Sequence, residues 1–284
     1  MKSNKLRLGI VIAVLLEFSV IATFILYQKY IYTHPKIEVY EVYHKEFPIN
    51  QNEVVIPIHA GRALHHDYGL PLLGKMIGDD TGENISLKND RYSELTATYW
   101  VWKNSKADYV GITHYRRSFF VSPDGFARYL KYEHCFNYLC SVGMTPQNLH
   151  ELMKKYDVIM PKTAYLPFTF EEYYNMSHDP NDMKAAVEYI EQRYPEMRDT
   201  VYAVLNGNMF NSRNMFIMRK DLLDKYAEWL FDVLFHIEPQ LSMHEGYQSR
   251  VAGFLGERLW SFWIRHQMRT TDIRVGELYI DTQQ

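Results

Sequence analysis

Hydrophobic and polar positions change rhythm several times along this chain, and each change delimits an element. The first stretch has no rhythm at all: Leu8 to Tyr27 reads LGIVIAVLLEFSVIATFILY, 20 residues with one charge, Glu17. That is the length one helix needs to cross hydrocarbon, so a single N-terminal transmembrane anchor is expected. A cleavable leader would have a shorter apolar centre and a small-x-small site, an option that Ser19 and Ala22 keep open. Glu17 is costly at mid-bilayer unless a polar partner meets it, which points to a helix–helix contact. Lys2, Lys5 and Arg7 precede the run while Lys29, Lys36 and Lys45 follow it, so charge sets no orientation. The expected division is residues 1–34, a stub with the anchor, and residues 35–284, one folded domain.

Beyond Pro35 short apolar runs alternate with helical periods. IEVYEVYH (Ile37 to His44) and VVIPI (Val54 to Ile58) read as strands. The turn-rich, acidic stretch Gly78 to Asp90 leads into an aromatic helix with Leu95, Tyr99 and Trp102 on one face and Asn89 or Asp90 as N-cap. Tyr109 to Thr113 is a strand that runs straight into the polar cluster His114 to Arg117. Thr145-Pro146 starts a helix through Met153, and Asp157 to Pro161 is a strand closed by proline. A polar loop, Asn175 to Asp182, precedes a helix through Tyr194, and the Asn-rich turn from Asn206 feeds a strand ending at Met218. The tail reads as two helices, Leu222 to His236 capped by Asp221, then Tyr247 to Met268 with an apolar stripe at Val251, Phe254, Leu255, Leu259 and Phe262. Helix-then-strand alternation predicts an α/β fold: a mostly parallel central sheet flanked by helices, with a helical C-terminal part.

Composition narrows the class. Hydrophobic residues at 47% and charged residues at 23% exclude a mostly disordered chain and a multi-span membrane protein. A net charge of −3 without a long basic run argues against nucleic acid as a partner. The aromatic share is 15%, and such side chains suit either sugars and nucleobases or a tyrosine-rich core. Cys135 and Cys140 are too few for a disulfide framework and lack zinc-site spacing. GxGxxG, P-loop, HExxH and GxSxG patterns are all missing.

The candidate chemistry centres on His114-Tyr115-Arg116-Arg117. Ligands of open α/β sheets bind outside the carboxyl ends of strands, where this cluster falls. Its two arginines offer forked, charge-assisted hydrogen bonds to a diphosphate, or else form a surface salt-bridge cluster. No Asp-x-Asp occurs anywhere in the sequence, so a metal-independent site is expected, with arginines neutralising the diphosphate. His178, Asp179 and Asp182 are an alternative metal-binding group or merely a turn.

The segments ISLKNDRYSELTATYWVWKN, ADYVGITHYRRSFF, NMFIMRKDLLDKYAEWLFDVLF and YQSRVAGFLGERLWSFWI resemble, in order and spacing, a bacterial family of capsular and exopolysaccharide biosynthesis glycosyltransferases, those with the DUF4422-type domain. The most specific marks are Lys88-Asn89, Glu94-Leu95-Thr96, Trp100 to Asn104 and the His114 to Arg117 cluster. The resemblance implies a GT-A-like fold and transfer of a sugar from a nucleotide-activated donor to a growing glycan. Members of that family commonly begin near the equivalent of Ile37, so the anchor is this chain's own addition.

On that reading His114, Arg116 and Arg117, with Lys88 and Asn89, hold the diphosphate of a nucleotide sugar, which is a substrate; no cofactor and no divalent metal are expected. Asn206, Asn208 and Asn214 meet acceptor or sugar hydroxyls, and Asp179 or Glu257 is the base. The acceptor is a glycan or lipid-linked oligosaccharide. The protein is then a single-pass membrane protein through residues 8–27, with its catalytic domain in the cytoplasm where such donors are made. The rivals are a catalytically inactive glycan-binding or assembly protein and a glycoside hydrolase, which needs two facing carboxylates.

Overall fold

The computed structural model describes residues 16, 19, 21–23, 34–65, 76–119, 143–243 and 245–282. Two units result, Met1–Lys36 and Ile37–Gln284. The expected membrane span, residues 8–27, lies for the most part outside the described residues, as do both cysteines. Among the described residues no helix is long and apolar enough to cross a membrane.

The second unit is organised by β1 (Ile37–Tyr43), in which all residues but Glu38 are buried. Such a run, rich in β-branched and aromatic side chains, belongs in a strand covered on both faces. The sheet continues with β2 (Val55–His59), β3 (Ile77–Gly78), β4 (Tyr109–His114), β5 (Arg117–Phe119) and β6 (Val158–Pro161). β7 (Ala164–Tyr165) and β8 (Met209–Phe210) form a separate small antiparallel pair. β9 (Phe216–Arg219), β10 (Val275–Leu278) and β11 (Ile280–Thr282) rejoin the main sheet.

The strand order is β10-β6-β9-β4-β1-β2-β3. β1 pairs in parallel with β2 and β4, β2 with β3, and β6 with β10. β9 runs against both β4 and β6. β5 folds back antiparallel on β4 and carries β11 on its other edge. The expected mostly parallel sheet is therefore mixed, with β9 and β5 as the reversed strands. The chain builds outward from β1 through β2 to β3, then crosses to place β4 on β1's other side. The carboxyl ends of β1 and β4 thus border a topological switch point, the place where open sheets leave a crevice.

Helices cover both faces. They are α1 (Asn89–Tyr92), α2 (Leu95–Asn104), α3 (Pro146–Lys155), α4 (Phe170–Asn175), α5 (Pro180–Arg193), α6 (Arg198–Leu205), α7 (Lys220–Ile237) and α8 (Val251–Thr270). On one face Tyr40, Val42, Ile112 and Met218 pack with Leu95, Phe231, Leu255, Trp260 and Phe262. On the other, Val39, Ile159 and Ile217 meet Leu149, Leu152 and Met153 of α3. The alternation of neighbouring strand residues between faces produces this split. Much of the aromatic excess goes into the first core, where Trp102 stacks on Phe231 at 5.8 Å and Trp260 on Trp263 at 5.8 Å.

Two local expectations are corrected. Neither Asn89 nor Asp90 caps the aromatic helix, because that helix is broken at Ser93, whose φ is +53°. The Asn89 amide instead donates across the break, to Ser93 O at 2.8 Å and Thr96 Oγ1 at 3.0 Å. The C-terminal part is also not wholly helical: residues 275–282 return to the sheet as β10 and β11.

Candidate functional site

At the switch point lies a cleft of about 600 Å³, within the usual range for small-ligand sites. Val42 and His44 from the end of β1, Ala60 after β2 and His114 at the end of β4 line its floor. Phe254 and Glu257 from the start of α8 form a wall.

The turn between β4 and β5 sets the first two cations. His114 pairs with Arg117 across it, leaving Tyr115 and Arg116 as its tip. Tyr115 folds inward against Tyr43 at 5.6 Å, His44 at 5.2 Å and Phe47 at 5.1 Å. Arg116 lies over the Tyr115 ring at 5.1 Å. With the tyrosine buried as an anchor, both arginines line the cleft.

A third arginine arrives on a strained turn. Arg213 and Asn214 have φ of +87° and +45°, a conformation that costs an L-residue roughly 1–2 kcal/mol. Both polar groups of the Arg213 backbone are clamped. Its N–H donates to Glu257 Oε1, and its carbonyl accepts from His114 Nε2 at 2.7 Å. Asn214, buried, donates to Glu94 Oε1 at 2.9 Å and to Gly253 O at 3.4 Å. Strain held in place by neighbouring side chains is a mark of functional sites.

The electrostatics follow from this packing. Burial, then the charge of Arg117, pushes the Arg213 guanidinium down, with Glu257 opposing. Burial also lowers His114, with Glu94 and the bond to the Arg213 carbonyl opposing. His44 is pushed down to about 4 by burial and by the charges of Arg250, Lys45 and Arg116. Burial raises Glu94, but His114, the Asn214 amide and Arg250 outweigh it and hold this carboxyl below its usual range. Arg250 is committed, with Nε 2.6 Å from Ser93 Oγ and Nη2 3.6 Å from Glu94 Oε2. Arg116, Arg117 and Arg213, by contrast, form no ion pair with a carboxylate among the described residues. Three guanidinium groups without an ion-pair partner among the described residues can offer forked, charge-assisted hydrogen bonds to an anion.

The family model "Domain of unknown function (DUF4422)" matches residues 38–268, which take in the whole lining of this cleft. The chain belongs to the DUF4422 family. Among solved structures it is similar to the apo structure of WbbM, a bifunctional glycosyltransferase, at 30% identity and a TM-score of 0.79. That likeness covers 87% of this chain and 45% of the other, so the chain spans less than half of that protein's length. No curated protein matches the chain.

In this DUF4422 domain the sequence-predicted residues divide into two groups. Asn89, His114, Arg116, Arg117 and Glu257 line the cleft, and Asn214 stands behind it on Glu94. Lys88 does not line it: its ammonium group binds both oxygens of Glu238 at 2.8 Å. Asp179 does not either, since Oδ1 caps α5 through the Asn181 N–H at 2.9 Å and Oδ2 accepts from Ser242 at 2.7 Å. His178 stacks on Phe254 at 4.4 Å and Asp182 accepts the Ser242 N–H at 2.7 Å, so the alternative metal group is dispersed into structural contacts. Among the described residues no group of three His, Cys, Asp or Glu side chains is arranged to hold a metal ion. Asn206 and Asn208 bind the backbone carbonyls of Tyr202 at 2.9 Å and Leu166 at 3.2 Å, away from the lining residues. They are turn residues, bonded to their own surroundings.

Sequence reasoning missed Arg213, Arg250, Glu94, His44 and Tyr247 as cleft residues. Glu94 and Arg250 do fall within the segments that carried the family resemblance, and Arg213 sits in the Asn-rich turn whose asparagines drew attention first.

Proposed function

We propose that this DUF4422 domain is a glycosyltransferase that moves a sugar from a nucleoside-diphosphate donor onto a glycan acceptor. The observation that carries this is the trio Arg116, Arg117 and Arg213, without an ion-pair partner among the described residues and gathered at the carboxyl ends of β1 and β4. With Arg250, the cleft lining holds four guanidinium groups against the three carboxylates of Asp90, Glu94 and Glu257, and the buried Arg258 behind it pairs with Glu257 at 2.7 Å. That excess of positive charge favours the negatively charged diphosphate bridge. The similarity to WbbM, named as a glycosyltransferase, supports the same reading.

In the reaction an acceptor hydroxyl oxygen bonds to the anomeric carbon of the donor. The bond from that carbon to the diphosphate oxygen breaks, and its electron pair leaves with the nucleoside diphosphate. The guanidinium groups stabilise the charge developing on that oxygen, the work a divalent cation does in many nucleotide-sugar transferases. The acceptor proton passes to Glu257, the cleft carboxylate beside Arg213. The fold class on this reading is GT-A-like, the product is a surface or exported polysaccharide, and the domain works on the cytoplasmic side of the cell membrane, anchored through residues 8–27.

The test is a panel of nucleotide sugars offered to the full-length protein with lipid-linked and free glycan acceptors, read by nucleoside diphosphate release and glycan mass. Release from one donor with a matching mass increment supports transfer. Donor binding without release from any donor would make the domain a glycan-assembly protein instead.

A further inference from the structure

The cleft has two chemically different ends, and only one of them is spoken for by a diphosphate. The cationic end is built by the β4–β5 turn and the strained turn at Arg213. The other is built by α8's first turn and the segment before it. There Tyr247 is 66% exposed and its ring lies 5.2 Å from Phe254, which also lines the cleft. Phe254 is backed by His178, stacked at 4.4 Å and 29°, and His178 by the buried Tyr174 at 4.9 Å. The aromatic pair is thus a fixed platform whose outer ring carries the Arg250 guanidinium over one face at 5.5 Å and is otherwise exposed. Gly246 beside it, at φ +61°, has nothing among the described residues within 4 Å of where a Cβ would stand.

A carboxylate accompanies the platform. Ser249 Oγ donates to Gly246 O at 2.7 Å and lies 3.2 Å from Asp90 O, so the Tyr247 segment and Asp90 are neighbours. The Asp90 side chain is 72% exposed, with His65 at 3.9 Å. Arg250, the guanidinium nearest the platform, is already engaged by Glu94 and Ser93.

We propose that Tyr247 and Phe254, with Asp90, form the acceptor subsite, and that it takes an uncharged sugar ring. This rests on the glycosyl-transfer reading and assigns the acceptor's place and class. A sugar presents a face of weakly positive C–H groups, which sits on the negative face of an aromatic ring, and its hydroxyls donate to a carboxylate. The exposed Asp90 carboxylate, beside an Arg250 already paired with Glu94, favours a neutral sugar over an acidic one. The subsite also lies correctly for the chemistry: Glu257 is three residues after Phe254 on α8, hence on the same face one turn along, between the platform and Arg213. An acceptor resting on Tyr247 has its hydroxyl beside the base, with the donor's diphosphate beyond.

The experiment uses the full-length protein saturated with inorganic pyrophosphate, its binding measured by calorimetry. Methyl β-D-glucopyranoside, methyl β-D-galactopyranoside and methyl α-D-mannopyranoside are then titrated in by saturation-transfer NMR, with methyl β-D-glucuronide as the acidic comparison. Expected are binding of at least one neutral glycoside through one C–H face, weaker binding of the glucuronide, about tenfold weaker binding in Tyr247→Ala and near wild-type binding in Tyr247→Phe. Pyrophosphate binding retained in Tyr247→Ala shows that the variant is folded. No glycoside binding to pyrophosphate-loaded wild type, equal binding by Tyr247→Ala, or preference for the glucuronide would each overturn the subsite while leaving the donor reading standing. Failure of the wild type to bind pyrophosphate would instead remove the donor reading and this proposal with it.

Discussion

Replacing Arg213 by glycine separates what this residue costs the fold from what it gives the site. Its φ of +87° is a conformation glycine adopts freely, so the substitution relieves roughly 1–2 kcal/mol of backbone strain. Glycine's extra freedom in the unfolded chain takes back about 0.4–1 kcal/mol. Among the described residues no ion pair of the Arg213 side chain is lost, and the repulsion from Arg117 disappears together with the weaker attraction of Glu257. The clamp on the backbone, Glu257 to the N–H and His114 to the carbonyl, remains available to glycine. The expected net is a gain of about 1 kcal/mol, or about 2–4 °C in Tm for a domain of this size. At the same time one charge-assisted contact to the anion is lost, worth roughly 1.5–3 kcal/mol, so pyrophosphate affinity falls about tenfold or more. Thermal denaturation and calorimetry on the same preparation read both. A variant that is less stable and binds pyrophosphate as well as wild type would refute the assignment of Arg213 as a strained anion ligand.

Glu257→Gln leaves the guanidinium of Arg258, whose side chain is 7% exposed, without its counter-charge, which costs about 3 kcal/mol in urea denaturation as well as abolishing transfer; unchanged stability would show that the pair is not structural. Glu41, fully buried and hydrogen-bonded to Tyr43, is pushed up to about 7 by burial. Its folded carboxyl keeps a proton that the unfolded one releases near 4.5, so it contributes about 3 kcal/mol that is lost as pH rises from about 4.5 to about 7. Glu41→Gln should flatten that limb of the stability–pH curve, and a limb left unaltered would contradict the assignment. Gly61→Ala places a Cβ 2.4 Å from the Asn89 side chain at φ +74°, for a loss of roughly 3 kcal/mol; a Tm within a degree of wild type would mean that Asn89 moves freely.

The fold was legible wherever burial is two-sided. The runs at Ile37, Tyr109 and Asp157 are continuous because helices cover both faces of those strands, and the stripe on α8 is regular because one face packs on the sheet. The tail strands were not legible: VGEL at Val275–Leu278 has a glycine and a glutamate and packs at the sheet's edge, so neither period 2 nor an apolar run survives. The kinked aromatic helix was hidden because Ser93 breaks it through a positive φ that serine seldom adopts. At the site, His114, Arg116 and Arg117 were visible from position alone, since the end of a central strand at a switch point is where side chains meet a ligand. Lys88 was misplaced because sequence cannot show Glu238, 150 residues later, waiting for it. Asp179 was misplaced because a helix cap and a catalytic carboxylate look alike in a loop. Arg213 was overlooked because what brings it to the cleft is a turn held by two distant side chains, and no local pattern encodes that.

Glycosyl transfer in this cleft depends on the three arginines binding a diphosphate. Calorimetric titration of the full-length protein with UDP, GDP, ADP, CDP and dTDP, with and without EDTA, tests it most directly when repeated on Arg117→Ala. At least one nucleoside diphosphate should bind, with an affinity that EDTA leaves unchanged and that Arg117→Ala weakens about tenfold or more. Absence of binding by every nucleotide, binding abolished by EDTA, or an affinity indifferent to Arg117 would contradict it.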